Sequence, residues 1–174
     1  GVDAKVVVDP TLLLSKSEWE SRFDCNPGNG EKYILVYFPH NKKLVFDFVK
    51  KLKNKTGLPV VYLSISPKIQ TGVRTLYDSS PDEFIGWIKN AEYVVTGSFH
   101  GTAFSINLEK QFFYEPTGEG SRIDNLVKYT GTHNRDLTKT DVNNIEYMDY
   151  NKISSKLDVL RKDSLDWLKN ALEN

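Results

Sequence analysis

Ser98, His100 and Gly101 lie within a single turn of chain, Thr96-Gly97-Ser98-Phe99-His100-Gly101. A serine ahead of a helical pattern caps the helix and leaves backbone N–H groups exposed at its positive end. That end attracts phosphate or carboxylate. Gly101 would let a ligand approach the backbone closely, and Gly97 would permit the sharp turn. His100, on the same corner, could donate a proton. The plainer alternative is a pair of glycines that only make a turn and a histidine that satisfies a backbone carbonyl. Arg122 follows a glycine-containing loop, Glu115 to Ser121. Its fork could grip a carboxylate or phosphate. The plainer reading is a solvated charge at a helix start, although a cation is unfavourable there. His40 follows an earlier apolar run and is expected near the same crevice. His133 and Arg135 fall in a polar stretch with no clear pattern, and Asp9-Pro10 reads as a turn before it reads as a site.

Several chemistries lack their residues. There is no Walker A lysine loop and no G-x-G-x-x-G, so neither nucleotide fingerprint is present. No paired histidines or carboxylates have metal spacing, so no metal is expected. No G-x-S-x-G elbow occurs, and Cys25 has no evident base partner.

The elements that must position these residues follow from pattern. Tyr93 to Val95 is a short β-branched and aromatic run. Beyond Ser98, Ala103, Phe104, Ile106 and Leu108 take helical spacing, and Gln111 to Tyr114 is a second strand. Strand, tight turn, helix, strand is the order of a βαβ unit. In such sheets ligands sit beyond the carboxyl ends of the strands. Earlier, Tyr33 to Phe38 and Val60 to Ile65 read as strands buried on both faces. Between them Leu44, Val45, Phe48, Val49 and Leu52 form a helix capped by Asn41 and stopped at Gly57 and Pro59. Ser80-Pro81-Asp82-Glu83 is a capping box ahead of Phe84, Ile85, Ile88 and Ala91. Thr75 to Tyr77 is a further short strand in an otherwise polar connection. At the start, Lys5-Val-Val-Val-Asp9 reads as a strand ended by Pro10, and residues 11–20 as a short helix. Arg122 to Val127 reads as a short helix. Residues 151–172 form a terminal helix with Ile153, Leu157, Leu160, Leu165, Leu168 and Leu172 as its apolar positions. The fold class is therefore α/β: a doubly wound, mainly parallel sheet flanked by helices.

Bulk properties narrow the partners. The 174 residues suit one domain. Lysine plus arginine and aspartate plus glutamate balance at 23 each, so no nucleic-acid or membrane footprint is expected. No run is long enough to span a bilayer. The single cysteine, Cys25, excludes an internal disulfide and suits a reducing compartment, so a cytoplasmic setting is expected. The chain opens at Gly1-Val2-Asp3 without a methionine and reads as part of something longer.

Asp9-Pro-Thr-Leu-Leu-Leu14, Pro81-Asp-Glu-Phe84, Ile88 to Val95, Ser98-Phe-His-Gly-Thr-Ala-Phe-Ser105 and Ser121-Arg-Ile123 together resemble the polysaccharide pyruvyl transferase family. The terminal Ser164-Leu-Asp-Trp-Leu168 also suits it. The resemblance implies one half of a GT-B-like pair of Rossmann-like domains, here the C-terminal half, inactive without its N-terminal partner. It implies transfer of the enolpyruvyl unit of phosphoenolpyruvate onto a sugar or lipid-linked saccharide as a ketal, with no cofactor beyond that donor. It implies His100 as the catalytic acid and Ser98, Phe99, Gly101 and Arg122 as substrate-binding residues. Gly97 and Pro39-His40 depart from the family's usual residues. The alternatives are a GT-B glycosyltransferase domain using a nucleotide sugar, or a domain that binds an anion or partner without turnover.

Overall fold

The computed structural model describes residues 5–23 and 26–173; Cys25 and Gly1-Val2-Asp3 lie outside them. Within these residues short, mostly apolar runs give five strands, β1 (Ile34–Tyr37), β2 (Val60–Ser64), β3 (Arg74–Tyr77), β4 (Tyr93–Thr96) and β5 (Gln111–Tyr114). All pair in parallel, in the order β3-β2-β1-β4-β5. From β1 the chain steps outward through β2 to β3, then crosses back to lay β4 on the other side of β1. The order thus reverses between β1 and β4, and a crevice opens outside their carboxyl ends. This is the Rossmann-like α/β fold expected.

Among the described residues six α-helices flank the sheet: α1 (Lys16–Arg22), α2 (Lys42–Thr56), α3 (Pro81–Asn90), α4 (Phe99–Asn107), α5 (Arg122–Thr130) and α6 (Tyr150–Glu173). The two-residue strand period sorts side chains between two cores. Ile34, Val36, Tyr62, Val95 and Phe113 face α2, meeting Val45, Phe48, Val49 and Leu52. Leu35, Val61, Leu63, Val94 and Phe112 face the other layer, where they meet Ile88, Ala103, Ile106 and Val127. Each fully buried aliphatic side chain contributes about 1.5–3 kcal/mol. Helix α4 is buried from Gly101 to Asn107 because neighbours enclose it on every side.

Local signals place the helix ends. Asn41 accepts the Leu44 N–H at the start of α2, and Gly57 closes it at φ 71°. The Ser80–Glu83 capping box forms at α3, and a second one, Ser15–Glu18, at α1.

Lys5–Asp9 does not join the sheet. Its Val8 N–H donates to Ser164 Oγ and Lys5 pairs with Asp163, so this segment runs along α6. Beside β5 the edge position at Tyr114 goes to Asp136 instead, and the Leu137 N–H donates to the Tyr114 carbonyl. In α6 the apolar stripe is Ile153, Leu157 and Leu160, followed by buried Ser164. Leu165 and Leu172 point outward, 48% and 86% exposed. The unpatterned stretch after Thr130 holds two 3-10 turns, His133–Arg135 and Val142–Asn144. Among the described residues no helix is long and apolar enough to cross a membrane.

Candidate functional site

The parallel register sets Tyr37, Thr96 and Tyr114 side by side at the carboxyl ends of β1, β4 and β5. The residues that follow them, Phe38, Gly97 and Glu115, therefore meet. A Cβ on Gly97 would lie 2.7 Å from the Phe38 carbonyl oxygen and 2.8 Å from both Glu115 Oε2 and His40 Cδ2. Gly97 does not have positive φ, so what it supplies is room rather than a special turn. Phe38, by contrast, is held at φ 49°, a left-handed conformation that favours glycine.

Thr96 organises the turn into α4. Its Oγ1 donates to the Tyr37 carbonyl at 2.9 Å and accepts the Ser98 N–H at 3.0 Å. Ser98 caps the helix, with Oγ accepting the Gly101 N–H at 3.3 Å. The N–H groups of Phe99 and His100 are left without a partner among the described residues. Gly101 behaves differently from the sequence expectation. It is buried, and a Cβ there would collide with Thr96 Oγ1 and crowd Tyr37 Cδ1 at 3.1 Å. The glycine lets the first turn of α4 press onto β4 and β1, and it does not line the cleft.

Three side chains meet on the rim. The Phe99 ring lies edge-on to His100, centroids 5.5 Å apart, and under the Arg122 guanidinium at 4.5 Å. Arg122 begins α5 behind the Ser121 cap and forms no ion pair with a described residue. His100 and Arg122 are both exposed and border one cleft of about 440 Å³, together with Tyr37, His40, Ser98 and Phe99. Burial raises the Tyr37 phenol, which keeps it protonated.

His40 is built into this cleft more firmly than its sequence suggests. Its Nε2 lies 2.9 Å from the Gly97 carbonyl oxygen, and its ring meets Phe38 edge-on at 5.3 Å. The backbone N–H groups of His40 and Asn41 donate to Glu115 Oε2 and Oε1, at 2.7 and 2.6 Å. Glu115, only 5% exposed, was legible merely as the start of a loop. The signal that finds it is the strand register, which sets the residue after Tyr114 beside the one after Thr96.

His133 and Arg135 do not line the cleft. His133 accepts the Tyr114 hydroxyl at its carbonyl, and Arg135 is buried over the Phe113 ring. Asp9 is a turn residue, its Oδ1 accepting from the Thr11 N–H and hydroxyl. Among the described residues no cluster of three or more histidines, cysteines or carboxylates could hold a metal ion.

A sequence model of the polysaccharide pyruvyl transferase family matches residues 1–115, a span that holds His40, Gly97 and His100 and ends before Arg122. No curated protein matches the chain in sequence. Among solved structures, the UDP-GlcNAc 2-epimerase of Methanocaldococcus jannaschii in complex with UDP-GlcNAc and UDP is similar at 12% identity and a TM-score of 0.54. That match covers 86% of this chain and 52% of the epimerase. A second structure of UDP-GlcNAc 2-epimerase from that organism gives 12% identity and a TM-score of 0.47, covering 83% of this chain and 43% of its own. The chain spans about half the length of these structures, and at such identity the first likeness speaks for the fold alone.

Proposed function

This chain belongs to the polysaccharide pyruvyl transferase family, and from that premise we propose that its cleft binds phosphoenolpyruvate and passes the enolpyruvyl unit to a sugar as a ketal. One observation carries the reading. A guanidinium without a carboxylate partner and two N–H groups at a helix start without a partner, both among the described residues, border a single cleft with an exposed imidazole. A small donor carrying both phosphate and carboxylate matches that set of groups.

The chemistry assigns the roles. His100, in its protonated form, gives a proton to the methylene carbon and leaves a cationic centre at C2. A sugar hydroxyl attacks that centre and phosphate departs. Arg122 and the α4 N-terminus hold the donor's anionic groups and stabilise the leaving phosphate. Ser98 fixes the helix start, and Phe99 carries Arg122 on its face. A second α/β domain of the same protein supplies the facing wall and the acceptor site, so this domain alone is inactive. The second reading, a nucleotide-sugar donor, draws on the likeness to an epimerase solved with UDP-GlcNAc and UDP.

Calorimetry and turnover on the full-length protein test this, comparing wild type with His100→Ala. We expect phosphoenolpyruvate to bind in both and kcat to fall about 10²–10⁴-fold in the variant. Equal turnover in the two proteins would remove His100 from the mechanism. Saturation by a UDP-sugar, with no heat from phosphoenolpyruvate, would favour the second reading.

A further inference from the structure

We infer that His40 is the proton acceptor for the attacking sugar hydroxyl, with Glu115 as the positioning residue that holds it at the cleft; the inference rests on the donor reading above. A carbonyl oxygen only accepts, so the 2.9 Å contact with Gly97 requires the hydrogen on Nε2. In the neutral ring Nδ1 then carries the lone pair, and it bonds no described residue. The ring is fixed on several sides. Glu115 uses both carboxylate oxygens on the N–H groups of residues 40 and 41, Phe38 packs edge-on, and Gly97 leaves the space in which the imidazole sits. A side chain so constrained yet exposed, in the same cleft as His100, is a preorganised base.

Ketal formation needs such a group. His100 gives its proton to the methylene carbon, whose double-bond electron pair forms the new C–H bond. The first hydroxyl oxygen bonds C2, and its proton goes to His40 Nδ1. The C2–O bond to phosphate breaks with its electron pair on the phosphate oxygen, and His40 returns the proton there. The second hydroxyl oxygen bonds C2, and its proton restores His100. Donor plus diol become ketal plus hydrogen phosphate, and both imidazoles end as they began.

The test is His40→Gln in the full-length protein, since a glutamine amide can still donate to Gly97. The titratable and charged groups around this ring are Glu115 after β5, His100 on α4, Arg122 on α5 and Tyr37 on β1, and all remain in the variant. We expect phosphoenolpyruvate affinity within about threefold of wild type, kcat lower by about 10²–10³-fold, and the acid limb of the kcat–pH profile gone. An unchanged kcat and acid limb would overturn the role of His40 and leave the donor reading standing. Loss of donor binding in the variant would also overturn it, because His40 would then be part of the binding wall. Absence of phosphoenolpyruvate binding in wild type overturns both readings. The tautomer is read without any variant by long-range ¹H–¹⁵N NMR of wild type at alkaline pH: a proton on Nε2 is expected, and a proton on Nδ1 sinks the inference.

Discussion

Arg122 sits at a helix start, where the macrodipole disfavours a cation by about 0.3–1 kcal/mol. Its perch on the Phe99 ring offsets a similar amount, about 0.5–1 kcal/mol at an exposed site. With no carboxylate partner among the described residues, the guanidinium contributes little to the fold and stays available to an anion. Arg122→Ala should therefore leave thermal stability unchanged or slightly higher, while weakening phosphoenolpyruvate at least about tenfold, as one charge-assisted bond is worth about 1.5–3 kcal/mol. Arg122→Lys keeps the charge but loses the fork and the stacking, so its affinity should fall between the two. Calorimetry beside a melting curve checks both; a destabilised Arg122→Ala with unchanged affinity would make the residue structural. At this scale the sequence was informative wherever a residue's type and immediate neighbours set its role. The Ser98 cap and the place of His100 in the first turn of α4 were legible from a serine ahead of a helical pattern. His40 was expected near the crevice and lines it, but its partnership with Glu115 was not legible, because their meeting depends on strand register across three separate segments. The glycines were visible but what requires them was not, since Gly97 makes room for Phe38, His40 and Glu115, far away in sequence, and Gly101 for the packing of α4 on Thr96 and Tyr37.

The opening segment shows how elements are held without pairing. Residues 11–14 present carbonyls that no strand satisfies. Asn107, at the end of α4, donates to Thr11 and Leu14, and Arg161 of α6 donates to Leu12 and Leu14 and to Asn107 Oδ1. Trp19 of α1 adds a bond to the Thr11 carbonyl and packs edge-on against Phe104. One arginine thus joins the first and last described parts of the chain. Arg161→Ala should cost about 2–3 kcal/mol, the scale of losing charge-assisted bonds to part-buried acceptors. Urea unfolding measures that loss, and hydrogen exchange should quicken across residues 11–22 first. Equal stability and exchange would mean that apolar packing of Leu12 alone holds the segment. The helices were legible because caps and apolar spacing are local. Lys5–Asp9 was misread because three consecutive valines predict a strand whether or not a sheet edge is free to take it. Leu165 and Leu172 kept the helical period beyond the point where α6 still has a layer beneath it.

Across the whole molecule, two apolar layers enclose a sheet whose carboxyl ends carry the cleft, and packing those layers buries many phenols. Burial raises Tyr33, Tyr37, Tyr93, Tyr114 and Tyr150, Tyr114 to about 12. On the acid side, among the described residues, the shifted carboxyls are Glu18, Asp47, Asp124 and Asp166, all lowered by hydrogen bonds: from Ser15 to Glu18, from Lys43 to Asp47, from the Gly120 N–H to Asp124, and from Lys162 to Asp166. These four lie at the surface, where solvent screening leaves such bonds worth little. The sign for the phenols is the reverse of the carboxylate case. Unfolded tyrosines ionise near pH 10 while the buried ones stay neutral, so their contribution is complete below pH 10 and is lost as pH rises through the folded values. For Tyr114 that window runs from about 10 to about 12, and each such phenol adds a slope of up to about 1.4 kcal/mol per pH unit. Lys110, held below its usual value by burial, acts in the opposite sense up to about pH 10.5, so stability should fall steeply above that, where the phenols act unopposed, while mild acid removes little. Urea midpoints at pH 5, 8, 10 and 11 check this. Tyr150→Phe, which loses a buried hydroxyl donating to the Lys110 carbonyl, should lower stability at pH 8 yet shrink the drop between pH 10 and 11. The same drop in wild type and variant would show that Tyr150 does not contribute to the alkaline limb.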